Sequence, residues 1–164
     1  PNFTIPSIDY IKNFISENKN INCLEIGSGF STIFFCVNCS AVISIEENKW
    51  FYDSFKKEVE KFDNIKYLNL KKDKTKKYLL DSKSKFEIIV IDGVDENRTI
   101  YLNHINNLLK TNGILIIDDS QRENYKSSLN ELKIKGFKEI KFSGHKNYQF
   151  ENDCTSLFFK KIFK

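Results

Sequence analysis

Glu25, Glu46, Asp73, Asp92 and the pair Asp118-Asp119 are the residues of this 164-residue chain whose types and spacing could do chemistry. Each stands at or just beyond the end of an apolar run, and Glu25 is followed by Gly27-Ser28-Gly29. Glycines accept positive φ and let a ligand approach bare backbone. A helix starting after them offers free N–H groups to something polar or anionic. A short Gly-x-Gly loop also makes ordinary turns, so the acids decide what it means. Carboxylates gathered at one edge repel unless a ligand or a cation answers them.

Such a gathering needs a scaffold, and the apolar pattern supplies one. Ile5, Ile8, Ile11, Phe14 and Ile15 recur at helical spacing, which predicts a helix over 7–17. Strands are expected over 21–26, 41–45, 65–70, 86–91 and 114–117, with helices over 31–37, 49–61, 73–80, 97–109 and 122–135 between and after them. Residues 86–91 form a nearly unbroken apolar run, as in a parallel strand covered on both faces. Thr111-Asn112-Gly113 reads as a turn and Gly136 as a helix C-cap. Strands over 138–143 and 155–161 have no helix between them and should pair antiparallel. The expected architecture is α/β, in one domain over 1–164: a doubly wound, mostly parallel seven-stranded sheet with helices on both faces and an antiparallel final strand. Ligands of such sheets sit beyond the carboxyl ends of the strands, where the acids fall.

Each acid then has a physical task. Glu46 is placed to accept hydrogen bonds from two adjacent ribose hydroxyls, with Glu47 as the competing residue. Asp73 would meet an adenine amino group, or simply occupy a turn. Trp50 and Phe51 could stack on adenine, although core packing is the expectation for both. The loop from Gly27 through Ser28 to Gly29 would hold the polar tail of the ligand. Thr32 stands where a dinucleotide fingerprint requires its third glycine, so an adenosyl cofactor without a pyrophosphate fits better than NAD.

Leu24-Glu25-Ile26-Gly27-Ser28-Gly29, Ile45-Glu46, Ile91-Asp92-Gly93 and Gly113-Ile114-Leu115-Ile116-Ile117-Asp118-Asp119 resemble, in order, the motifs of class I S-adenosylmethionine-dependent methyltransferases. The resemblance spans about 21–161 and implies the Rossmann-like fold of that family, with its last strand inserted beside the sixth. It implies S-adenosylmethionine bound by Glu25, Gly27, Ser28, Gly29 and Glu46 or Glu47, with Asp73 and Asp92 contributing. Asp92 with Asp118-Asp119 is similar to the acidic triplet of Mg²⁺-dependent O-methyltransferases acting on catechols or sugars. Three hard oxygens suit Mg²⁺, which would lower a substrate hydroxyl's pKa. The alternative is that Asp118 caps a helix and Asp119 is solvated. The chain lacks the substrate-covering insertions of those enzymes, so that wall would come from a partner subunit in a homo-oligomer or from outside these residues.

Arg98 and Arg122, the only arginines, follow these aspartates. An arginine fork suits an anionic substrate group, or else screens the acids. Asp92, Arg122 and His145 are the catalytic candidates, with Lys146 and Tyr148 as weaker proton acceptors and His104 as structural. The expected function is methyl transfer to a hydroxyl of a small molecule or sugar, an anionic one if the arginines bind it. The alternatives are a nucleic-acid or protein methyltransferase and a non-catalytic binding module. A net charge of +4 spread along the chain does not point to nucleic acid, and Asp92-Gly93-Val94-Asp95 lacks the Pro-Pro-aromatic sequence that grips a flipped base. No apolar run is long enough to span a membrane. Cys36 and Cys39 form a C-x-x-C without a second ligand pair, so buried thiols in a reducing cytoplasm are expected.

Overall fold

The structure is a computed structural model and describes residues 1–147 and 152–160. Tyr148 and position 161, the end of the expected last strand, lie outside the described residues. Helix α1 (Ile5–Glu17) precedes β1 (Asn22–Ile26), α2 (Phe30–Asn38), β2 (Ala41–Glu46), α3 (Lys49–Val59) and β3 (Ile65–Asn69). The second half runs α4 (Lys72–Asp81), β4 (Phe86–Ile91), α5 (Asp95–Leu102), β5 (Leu109–Asp118), α6 (Lys126–Ile134), β6 (Phe137–His145) and β7 (Asn152–Lys160).

The strands form one sheet in the order β3-β2-β1-β4-β5-β7-β6. β1 to β5 are parallel, and β7 lies antiparallel between β5 and β6. The expected seven-stranded architecture and the inserted last strand are therefore present. Strand period, not helix period, sorts the core. Ile88 and Val90 of β4 face a cluster containing Ile8 and Ile11 of α1 and Phe35 of α2. Ile89 and Ile91 face Leu79 of α4, Leu102 of α5 and Leu129 of α6. All four isoleucine and valine side chains are fully buried, each contributing roughly 2 kcal/mol of transfer free energy.

Three expected elements differ. The helix expected over 97–109 ends at Leu102; a turn and a short 3-10 segment, Ile105–Asn107, follow, and Leu109 already belongs to β5. His104 thus lies in the turn after α5, not inside a helix. Ile105, Leu108 and Leu109 are all buried, so packing favours a tight descent into the sheet over another helical turn. The expected turn at Gly113 becomes an irregular stretch early in β5. A Cβ at Gly113 would lie 2.8 Å from the Glu87 carbonyl oxygen, so only glycine fits that approach. The last helix also opens later than expected, at Lys126, after a 3-10 turn over Glu123–Tyr125. It closes as expected at Gly136, which has φ +89° and donates to the Lys133 carbonyl at 3.0 Å.

Candidate active site

The sheet reverses its direction of growth between β1 and β4, and a crevice opens beyond the carboxyl ends of strands at such a switch point. Here a cleft of about 650 Å³ is lined by Ser28, Gly29, Phe30, Ser31, Asp92 and Asn147, among others. Gly27 makes the close join possible. It has φ +94°, and a Cβ there would sit 2.4 Å from the backbone carbonyl of Asp92. The Gly27 N–H donates to the Ile45 carbonyl and the Asp92 N–H to the Ile26 carbonyl, both at 2.8 Å, lacing the tips of β1, β2 and β4 together. No atom lies within 4 Å of a Cβ built at Gly29, so the backbone there is open to a ligand.

On the β1–β2 side, neutral donors serve the carboxylates. The Ser28 N–H and hydroxyl donate to Glu46 Oε2 at 2.9 and 2.8 Å, and the Asn48 N–H donates to Oε1 at 2.8 Å. Glu46 therefore shapes the glycine loop directly. Glu47 points elsewhere: Asn97 donates to its Oε2 at 2.7 Å and the Tyr101 hydroxyl to its Oε1, tying β2 to α5. Glu25 is fully buried. Its Oε2 accepts from the hydroxyls of Thr32 at 2.6 Å and Ser44 at 2.7 Å. Its Oε1 has no hydrogen-bond partner among the described residues. Burial pushes the Glu25 carboxyl up to about 7. Thr32, met above only as a missing glycine, links Glu25 to the loop because its Oγ1 also accepts from the Gly29 N–H at 3.0 Å.

Across the switch point, ions replace neutral donors. Asp92, Asp118 and Asp119 each bring a carboxylate oxygen to within 4.8 Å of the other two. Arg98, 5% exposed, donates to Asp92 Oδ1 at 2.8 Å, to the Asp118 carbonyl at 2.9 Å and to the Gly93 carbonyl at 2.7 Å. Arg122 is less buried and pairs with Asp95 and Asp119. Lys146 reaches Asp118 Oδ2 at 2.6 Å and Asp153 Oδ2 at 2.9 Å, and also pairs with Asp119 Oδ1. Asp119 takes φ +54°, a left-handed conformation that aspartate tolerates better than most residues, in aiming its carboxylate at both cations. Burial first, then the neighbouring Asp118 carboxylate, pushes Asp92 up to about 8.

The remaining expected residues are placed apart from this centre. Asp73 is exposed in the first turn of α4. His145 is exposed at the end of β6, opposite Asn152. Trp50 corrects the expectation of core packing: it is 75% exposed at the start of α3, whereas Phe51 stacks on Phe55 at 5.8 Å. Lys146, expected only as a weaker proton acceptor, instead stands among the aspartates. The signal that could have found it was the strand pair without a helix, which brings the end of β6 back beside the tip of β5. Cys23, Cys36 and Cys39 are buried free thiols, and Cys154 is free and half-buried.

A scan against protein-family models finds no match. A search of curated proteins finds none either. Solved structures do match. An O-methyltransferase from Bacillus cereus in complex with SAH aligns with 96% of this chain and 82% of its own, at 16% identity and a TM-score of 0.78. The O-methyltransferase TomG from Streptomyces achromogenes, involved in tomaymycin synthesis and in complex with SAM, covers 95% and 80% at 14% identity and a TM-score of 0.74. The N-methyltransferase NodS from Bradyrhizobium japonicum, in complex with S-adenosyl-L-homocysteine, covers 93% and 84% at 12% identity and a TM-score of 0.65. This likeness establishes the architecture: the chain has the Rossmann-like fold of these methyltransferases.

Proposed function

We propose that this chain is an S-adenosylmethionine-dependent methyltransferase that acts on a hydroxyl of a small molecule or sugar. The observation that carries the reading is the cleft at the switch point, lined by the open Gly29 backbone, Asp92 and the Ser28 that Glu46 holds. The residues fit the cofactor. Glu46 would take the ribose hydroxyls, since its carboxylate sits at the tip of β2 beside the loop. Gly27, Ser28 and Gly29 would hold the methionine end, and the unpartnered Glu25 Oε1 is an acceptor for which a ligand's donor is the natural answer. Trp50 and Asp73 are exposed, and in this reading they would be the residues offered to the adenine. When bound, the cofactor supplies an activated methyl group on a good leaving group.

The chain's own contribution is to position the acceptor and move its proton. Asp92 lines the cleft, and Arg98 engages its Oδ1 alone. Its other oxygen is the proton acceptor of this reading, and a carboxyl held near the working pH is well suited to that task. Lys146 is not a base, because its ammonium donates to three carboxylates. His145 is not among the lining residues of the cleft. An anionic acceptor gains no support from Arg98, whose donors serve Gly93, Asp92 and Asp118. A small-molecule acceptor is favoured by the size of the cleft, which lies in the range of small-ligand sites. The O-methyltransferases among the matched structures favour a hydroxyl. Free thiols agree with a reducing, cytoplasmic setting. Among the described residues no helix is long and apolar enough to cross a membrane.

Calorimetry with S-adenosylmethionine and S-adenosylhomocysteine tests the reading. Binding of both is expected, and absence of heat with either ligand overturns it. With a competent acceptor, turnover should rise with pH through about 8, as Asp92 loses its proton.

A further inference from the structure

We infer that the Lys146 ammonium is the built-in cation of the acidic cluster, occupying the role that three clustered carboxylates would otherwise offer a divalent metal. Methyl transfer by this chain would then need no Mg²⁺; that consequence rests on the function proposed above, whereas the assignment of the cation does not.

The triplet Asp92, Asp118 and Asp119 has the spacing of a hard-cation site. Five of its six oxygens, however, are engaged. Asp118 accepts from Lys146 on Oδ2 at 2.6 Å and from the Thr155 hydroxyl on Oδ1 at 2.8 Å. Asp119 accepts from Lys146 on Oδ1 and from Arg122 on Oδ2. Asp92 accepts from Arg98 on Oδ1 at 2.8 Å. Mg²⁺ requires near-octahedral oxygens at about 2.0–2.1 Å, which these donors would have to vacate.

Lys146 is also built into its place. Its side chain is 2% exposed, and it has three acidic partners, Asp118, Asp119 and Asp153, for the three protons of an ammonium. Burial lowers its pKa, but Asp118, Asp119 and Asp153 more than offset that and keep the ammonium charged. Its backbone bridges Thr4, whose N–H donates at 3.0 Å to the same Thr155 hydroxyl that serves Asp118. A divalent ion at the triplet would stand beside a buried ammonium sharing two of its ligands. Like charges so placed disfavour each other, so one cation excludes the other.

The test uses Mn²⁺ as a spectroscopic probe and Mg²⁺ as competitor, on the chain alone and with S-adenosylhomocysteine. In wild type, electron paramagnetic resonance should show free Mn²⁺ only. In Lys146→Met, Mn²⁺ binding should strengthen by about tenfold or more and be displaced by Mg²⁺. A stoichiometric wild-type Mn²⁺ site that disappears in Asp119→Asn overturns the inference, and so does a folded Lys146→Met variant as silent as wild type. Should that variant fail to fold, wild-type NMR of the lysine ammonium groups decides. A slowly exchanging Lys146 signal unmoved by Mg²⁺ supports the inference, and a Mg²⁺-dependent shift overturns it. S-adenosylhomocysteine heat measured in a chelator is read separately, so failure of the cofactor reading leaves the Mn²⁺ outcomes intact.

Discussion

The two sides of the switch point handle buried carboxylates in opposite ways. At the tips of β1 and β2, hydroxyls and backbone N–H groups serve Glu25 and Glu46, and one oxygen of Glu25 is left over. At the tips of β4 and β5, Arg98, Arg122 and Lys146 serve Asp92, Asp118 and Asp119. Neutral donors leave acceptor capacity and net negative charge for an incoming ligand. Ion pairs between elements use that capacity to lock the frame. In the function proposed above, the first arrangement suits a site that must open to a cofactor, and the second a wall that stays fixed beside it.

Removing a cation should therefore damage the molecule more than removing a neutral donor's partner. Lys146→Met leaves Asp118 and Asp119 buried without their shared partner and should cost about 3–5 kcal/mol in urea unfolding. A loss under about 1 kcal/mol would place the β5 wall on the same footing as a surface ion pair.

Glu25 gives the next largest effect, and its sign is opposite to that of an ordinary paired acid. Its carboxyl lies at about 7, against an ordinary 4.5, because it is buried. The stability it contributes is fully present below the ordinary value and lost as pH rises through 7. Unfolding free energy should fall by about 3 kcal/mol between about pH 4.5 and pH 8, over and above other groups. Glu25→Gln should remove that part of the slope; an unchanged slope would mean that the orphaned oxygen is answered in solution.

Glu46→Ala should weaken S-adenosylhomocysteine binding by about 10- to 100-fold, the worth of charged hydrogen bonds, while far-ultraviolet circular dichroism stays unchanged. Unchanged affinity would transfer the ribose role to Glu47. The smallest effect belongs to Arg122→Lys. Arg122 is 43% exposed and keeps a charge in the variant, so stability should change by less than about 1 kcal/mol and acceptor KM should not move. A raised KM would restore the anionic-acceptor expectation.

Much of this was legible in the chain. The nearly unbroken run Phe86–Ile91 and the alternation along β3 announced strands, because a short continuous apolar run and a period of two both fit extended chain. Gly27 was legible as well, since positive φ and a backbone approach of 2.4 Å leave no other residue type. The stretch from Leu102 to Leu109 was not, because helical spacing and a buried descent into a sheet use the same apolar residues.

What the sequence by itself determined is the order of elements and the row of acids at the strand ends, both properties of local pattern. Only the tertiary structure decided which charge answers which acid. Lys146 is separated from Asp118 by 28 residues, and nothing in its neighbours along the chain marks it as buried. It meets the aspartates because β7 lies antiparallel between β5 and β6, which brings the end of β6 beside the tip of β5. Coulomb attraction depends on distance in space and on exclusion of water, and the sequence alone specifies neither.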